Sequence, residues 1–264
     1  MDILKKIIEY KKVEVEEKKK QTSLEDLKQM PLYDRDLVSM RDSILDESKT
    51  GIIAEYKRKS PSKGIINDKV TVKDVTSAYA KYGASGISVL TDESFFGGSL
   101  KDLSDAFNSG VPLLRKDFII DEYQIIEAKA YGASVILLIA ACLSKEEVIR
   151  LARNAKSLGL EVLLEIHDES ELQYVGKHAD MIGINNRNLK NFEVTLDHSI
   201  ELIGKIPDDA IVIAESGISS IDDILTLKEA GFNGFLIGEY FMKHTNPSIA
   251  FAEFSNRLKA KYEN

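Results

Sequence analysis

The sequence predicts an α/β chain folded as a (β/α)₈ TIM barrel with an N-terminal helical extension. Eight short β-branched apolar runs recur along 264 residues, and a helical pattern follows each of them. Their starts lie between 20 residues (161 to 181) and 34 residues (52 to 86) apart, room for a strand, a loop, a helix and a loop each time. The runner-up, an open doubly wound sheet, normally shows a GxGxxG turn after an early strand, and none occurs there.

About 50 residues precede the first run. Ile3, Leu4, Ile7 and Ile8 share one helical face, and Ser23 starts a second helix at LEDLKQM. The charged run KKVEVEEKKK reads as a solvated helix face, and the whole extension as an amphipathic arm packed on the barrel, with a lid over its mouth as the alternative. The expected organisation is this extension over residues 1–50 and the barrel over 51–264, forming one domain. Strands are expected at Ile52–Tyr56, Gly86–Leu90, Val111–Leu114, Val135–Ile139, Glu161–Glu165, Met181–Ile184, Ile211–Ala214 and Gly234–Ile237. Helix starts are marked by Thr71 with Asp74, Asp121 with Gln124, Ser144 with Glu147, Asp168 with Glu171, and Ser220 with Asp223. Each pairs an N-cap oxygen with a carboxylate or amide three residues on. Helix ends are marked by Gly83, Gly132, Gly159 and Gly231, since glycine takes the left-handed conformation without cost.

Composition narrows the function. Hydrophobic residues make up 44% and charged residues 30%, too ordered for a disordered tail and too charged for a membrane protein. The net charge of −8, from 35 basic and 43 acidic residues, repels a phosphate backbone on average, so no nucleic-acid partner is expected. The longest apolar stretch, Val135 to Leu143, is far short of a bilayer span, and the N-terminus lacks a signal-peptide pattern, so a soluble cytoplasmic protein is expected. Cys142 is the single cysteine and cannot form an internal disulfide. His167, His178, His198 and His244 show no ligand spacing, and no CxxC, HExxH or GxSxG occurs, so no metal is expected.

In a parallel barrel, inward positions alternate along each strand and function gathers at the C-terminal ends. The first run places Ile53, Glu55 and Lys57 on one face. The third places Leu114 with Lys116, the fifth Leu163 with Glu165 and His167, and the seventh Ile211 and Ile213 with Glu215; the sixth delivers Asn185. One such charge is ordinarily a solvated loop residue. Five strand ends in phase point to a cavity where two lysines and three carboxylates tune each other for acid–base work. The last two strands end AESGISS and LIGEY, where small residues leave backbone N–H groups free to face an anion. The helix beginning near Ser219 adds its positive end.

The segments IIAEYKRKSPSKG, LLRKDFIIDEYQIIEAKAYGASVILLIA, LLEIHDESEL, IGINNRNLKNFEVTLD, AESGI and FLIGEYFM resemble the indole-3-glycerol phosphate synthase family of tryptophan biosynthesis, in order and over the whole barrel. AEYKRKSPS, RKDF and GINNRNL are specific in combination, and the N-terminal extension also fits. The resemblance implies a carboxy-lyase that closes 1-(2-carboxyphenylamino)-1-deoxyribulose 5-phosphate into indole-3-glycerol phosphate, carbon dioxide and water, without metal or organic cofactor. By match, Lys116 is the acid protonating the ketone, Lys57 pairs with the substrate carboxylate and helps the later dehydration, and Glu165 is the base or proton shuttle. Glu55 and Asn185 orient these groups, and Glu215 is a further pocket carboxylate. Ser60, Ser216, Gly217, Gly238 and Glu239 surround the phosphate, Arg187 sits at the rim, and Phe96, Phe118, Leu137 and Leu236 wall the aromatic ring. The motif assigns no role to His167. The alternatives are another phosphate-binding lyase or isomerase on the same fold, and a non-catalytic phosphate-binding barrel. The expected partner is a small phosphorylated substrate, with no nucleic acid and no membrane, and the expected state is a monomer, a weak dimer being the alternative.

Overall fold

The computed structural model describes residues 3–187 and 194–262. Eight parallel strands close into a barrel: β1 Ile52–Tyr56, β2 Gly86–Leu90, β3 Leu113–Lys116, β4 Val135–Ile139, β5 Glu161–Ile166, β6 Met181–Asn185, β7 Val212–Glu215 and β8 Gly234–Ile237. Each pairs with its sequence neighbours and β1 closes the ring on β8, with Ile52 opposite Phe235 and Ala54 opposite Ile237.

Seven strands fall within one or two residues of the expected spans. The third is displaced toward its C-terminal end. Pro112 has no N–H to give a ladder, so the strand begins after it, while the Pro112 carbonyl still accepts from Ile87 N at 3.0 Å. The displacement is two residues, so the inward face is kept and Lys116 becomes the strand's last residue.

That face is observed throughout. Ile53, Leu114, Leu163, Ile211, Ile213 and Leu236 form the core inside the barrel, together with Val135, Leu137 and Met181. The opposite faces, including Ile52, Ala54, Ile136, Leu164 and Phe235, pack beneath the outer helices α4 Val72–Lys81, α5 Leu100–Ala106, α6 Glu122–Ala130, α7 Lys145–Ser157, α8 Leu196–Ile203 and α9 Ile221–Glu229. The short α10 Glu239–Met242 and the long α11 Pro247–Tyr262 follow the last strand. Full capping boxes form at Asp121, Ser144 and Ser220, and Thr71 accepts from Asp74 N. The four glycines expected to end helices all have positive φ.

The pair Asp168 and Glu171 does not start an α-helix. Asp168 accepts from Ser170 N, and Glu171 turns back to accept from His167 N at 2.6 Å, so the Glu169–Tyr174 segment winds as a 3₁₀ helix. A carboxylate committed to the residue before the cap cannot close a capping box, and the tighter turn follows.

The extension comprises α1 Ile3–Gln21, α2 Leu24–Lys28 and α3 Met40–Leu45. Helix α3 stoppers the N-terminal end of the barrel: Met40 and Ile44 join the inner core, and Glu161 accepts from Ser39 Oγ at 2.6 Å and Met40 N at 2.7 Å. Gly86 leaves room for this plug, since a Cβ there would meet Met40 Sδ at 2.1 Å.

The charged run of α1 is not wholly solvated, contrary to its reading in the sequence. Lys12, Glu16 and Glu17 are exposed, but Lys11 is 0% exposed, and its ammonium lies 3.0 Å from both Asp92 and Asp117 and 2.8 Å from Glu14. Asp92 accepts from the backbone N–H groups of Phe95 and Phe96, and Asp117 from that of Phe118. One buried lysine thus ties the extension to the loops after β2 and β3.

Candidate active site

A cavity of about 700 Å³ opens at the C-terminal ends of the strands. All the site residues expected from the sequence line it: the two lysines, three glutamates and asparagine of the strand ends, the phosphate-loop residues, Arg187 and the four ring-wall residues. Parity explains why they meet, since consecutive inward positions on β1, β3, β5, β6 and β7 leave the packed core and enter the mouth. Ile3, Leu4 and Ile7 of α1 and Lys63, Lys243 and His167 also line the cavity. The extension therefore forms part of its wall.

Lys116 holds the centre. Its ammonium donates to Glu215 Oε2 at 2.5 Å and to Glu165 Oε2 at 3.2 Å. Burial disfavours its charge, but Glu215, Glu165 and Glu55 outweigh that and raise its affinity for the proton above the ordinary lysine value. The two carboxylates are driven apart. Burial pushes both toward the neutral form; at Glu165 the contacts from Lys116, His167 and Asn185 overcome it and hold the group well below the usual carboxylate range. Glu215 has Lys116 alone against both burial and the charge of Glu165, and it rises to about 7. Its Oε1 is buried without a hydrogen-bond partner, over Gly183, where a Cβ would lie 2.2 Å from it. Only glycine admits Glu215 there. Environments that drive two carboxylates apart in this way suit them to opposite halves of a proton transfer.

Lys57 and Glu55 form an ion pair at 2.7 Å on the β1 side, and Glu55 also accepts from Ser88 at 3.4 Å. Asn185 Nδ2 donates to Glu165 Oε1 at 3.1 Å. Phe96 and Phe118 pack against each other with ring centroids 6.1 Å apart and planes tilted by 40°, and with Leu137 and Leu236 they give the cavity an apolar, aromatic stretch of wall. The chain turns at Ser216 (φ 67°) and Gly217 (φ 77°). The Ser216 turn is held by Asn186, whose Nδ2 donates to the Ser216 carbonyl at 2.8 Å. The capped helix beyond it starts at Ile221, two residues after Ser219. Arg187 and Lys63 approach Glu239 at 3.9 and 3.6 Å, so two cations gather around one carboxylate here.

Two things disfavour a side chain at Gly217: its positive φ, and a Cβ that would lie 2.3 Å from Val194 Cγ1. Gly217→Ala strains the turn by about 1–2 kcal/mol, equivalent to about tenfold in binding. The expected result is that KM and the inhibition constant of inorganic phosphate both rise about tenfold with kcat within about threefold, because an anchor shared by ground and transition states is lost. Steady-state kinetics checks this; a fall in kcat with both constants unmoved would place the anion elsewhere.

Among the described residues, no three His, Cys, Asp or Glu side chains gather as metal ligands, and no helix is long and apolar enough to cross a membrane. The last two residues of the GINNRNL segment, Asn188 and Leu189, and residues 190–193 after it lie outside the described residues.

Solved structures with the same architecture include the tryptophan synthase α subunit from Legionella pneumophila, at a TM-score of 0.61 and 13% identity over 85% of this chain and 97% of that one. Thiamine phosphate pyrophosphorylase from Pyrococcus furiosus matches at a TM-score of 0.60 and 15% identity over 84% and 98%. At such identities they share the barrel alone. Sequence similarity reaches further. Indole-3-glycerol phosphate synthase from Bacteroides thetaiotaomicron is 48% identical over 98% of this chain and 99% of its own length, and that from a Polaromonas species is 44% identical over 96% and 97%. The family model described as indole-3-glycerol phosphate synthase matches residues 4–254, from the extension that walls the cavity to α11. Cavity, extension and sequence agree, and the chain belongs to the indole-3-glycerol phosphate synthase family.

Proposed function

We propose that this cavity converts 1-(2-carboxyphenylamino)-1-deoxyribulose 5-phosphate into indole-3-glycerol phosphate, carbon dioxide and water. The observation that carries the reading is the Lys116 ammonium held between Glu165 and Glu215 in a cavity whose wall also includes the Phe96–Phe118 pair and the Ser216–Gly217 turn. A substrate anchored by its ring at one end and its phosphate at the other must fold so that its ring carbon meets its ketone beside Lys116. Such positioning supplies much of the barrier reduction in a ring closure.

The proton inventory follows from the reaction. The ring carbon bearing the carboxylate attacks the ketone, and Lys116 gives the forming alkoxide a proton. The carboxylate leaves as carbon dioxide, returning its electron pair to the ring and restoring aromaticity. The hydroxyl then leaves as water with a second proton, while Glu165 removes one from the side-chain carbon beside the nitrogen. Two protons are given and one is recovered, so one is drawn from solvent in each turnover. Glu215, poised near neutrality at 2.5 Å from Lys116, is the group placed to recharge it. Lys57, paired with Glu55 at the cavity edge, meets the substrate carboxylate.

The assay is direct: purified protein, substrate, and indole fluorescence followed with time. Turnover is expected, and none above buffer would refute the reading. Within the same assay, Lys57→Met should raise KM about tenfold to a hundredfold, the loss of a charge-assisted hydrogen bond, with the smaller share of the effect in kcat. An unchanged KM would remove Lys57 from the carboxylate.

A further inference from the structure

His167 lines the cavity yet has no part in the chemistry above. It follows β5 on the inward face of Leu163 and Glu165 and is 8% exposed. Its Nε2 lies 3.1 Å from Glu165 Oε1 and its Nδ1 3.5 Å from Glu171 Oε2, ion-pair distances at which neither nitrogen completes a hydrogen bond. The 3₁₀ segment exists in this form because Glu171 turns back to His167, accepting its backbone N–H at 2.6 Å. From α8, His198 Nε2 donates to the His167 carbonyl at 2.6 Å. Across Glu165 stand Lys116 and, uncharged, Asn185. Among the described residues, the titratable groups in contact with His167 are therefore Glu165, Glu171 and His198, with Lys116 beyond.

A neutral imidazole carries one N–H, but this ring faces a carboxylate at each nitrogen. Burial favours the neutral ring; the two carboxylates outweigh it and raise the group to about 10. Glu165 is thus flanked by two cations, one on each oxygen. When Lys116 turns to the ketone, one of them is lost, and a fully buried carboxylate left with Asn185 alone would take up a proton and cease to be a base.

We infer that His167 is a positioning residue: its imidazolium, braced by Glu171, keeps Glu165 ionised and aimed into the cavity while Lys116 is engaged with substrate. This rests on Glu165 being the base proposed above.

Two measurements test it. The first uses the unaltered protein without substrate, following the ¹⁵N shifts of the His167 ring from pH 6 to 9. Both nitrogens are expected to stay protonated throughout; a midpoint near the ordinary ~6.5 would overturn the proposal whether or not the enzyme turns over. The second is the kcat–pH profile of His167→Gln, which keeps a donor and loses the charge. Its acid limb is expected to move up by about one pH unit, with kcat at neutral pH down at least about tenfold and KM within about threefold. Glu171→Gln, which retains an acceptor for the backbone N–H, should move the limb in the same direction by less, and it decides the matter if His167→Gln does not fold. An unmoved acid limb in a folded variant, or an effect confined to KM, would overturn the assignment.

Discussion

Lys116→Met is expected to lose about 10²–10⁴ in kcat, the usual worth of a positioned proton donor, equivalent to roughly 3–5 kcal/mol of barrier. Methionine matches the length of the side chain but can neither hydrogen-bond the ketone nor protonate it. The Phe96–Phe118 wall and the Gly217 turn are untouched, so KM should stay within a few-fold. Folding should survive as well. Removing the ammonium leaves Glu165 beside Glu215, but Glu215 already rises to about 7 and can stay protonated, so two bare buried charges need not coexist. Steady-state kinetics with circular dichroism checks both points. A folded variant within tenfold of wild-type turnover would end the assignment and make Lys57 the leading candidate for the acid.

Lys11→Met is expected to be the most destabilising single change in the extension. Its ammonium is wholly buried between Asp92 and Asp117, and Asp117 also meets Arg115 Nη2 at 3.0 Å. Removing one partner from a buried ion cluster typically costs about 3–5 kcal/mol. At about 2–4 °C per kcal/mol for a chain of this size class, that is a fall in Tm of about 6–20 °C. The pH dependence has a definite sign. Burial alone would raise Asp117, yet Lys11 and Arg115 hold it well below the usual carboxylate range. Its pairing therefore stabilises the fold above the unfolded value near pH ~4 and is lost as pH falls through the depressed folded one. Without Lys11, the acid-side loss of stability should begin at higher pH. Activity should fall too, because the same ammonium braces the loops of Phe96 and Phe118. Thermal melts from pH 3 to 8 read this; a Tm within 2 °C of wild type at neutral pH would contradict it.

These two lysines show how unevenly the molecule could be read from its sequence. Lys116 was legible because strand alternation is strict: with Leu114 assigned inward, Lys116 had to follow, and even a two-residue error in the strand's start left parity intact. The strand ends of β1, β5 and β7 yielded to the same rule. Lys11 lay on an equally simple pattern, since Ile3, Ile7, Lys11 and Val15 recur at intervals of four on one face of α1. A lysine in an apolar stripe is usually read as solvated, and its partners Asp92 and Asp117 are about 80 and 106 positions away. Only the fold brings them together. The 3₁₀ turn after β5 was hidden for a related reason. Asp168 and Glu171 have capping-box spacing, but Glu171 is also within reach of His167, and the sequence does not say which backbone N–H takes the carboxylate. Helix α3 was missed because six residues give too short a pattern, and its burial is decided by Gly86 on another element.

The proposed chemistry requires the substrate's ring against Phe96 and Phe118, its phosphate at Gly217 and Gly238, and its ketone at Lys116. The most direct measurement is a crystal structure of the protein bound to the substrate with its ketone reduced to an alcohol, which binds but cannot close. The phosphate is expected on the backbone N–H groups of the Gly217 and Gly238 loops, the carboxylate on Lys57, and the hydroxyl within about 2.6–3.2 Å of Lys116 Nζ. A ligand lying in the opposite sense, or a hydroxyl beyond reach of Lys116 with Lys57 in its place, would contradict this placement.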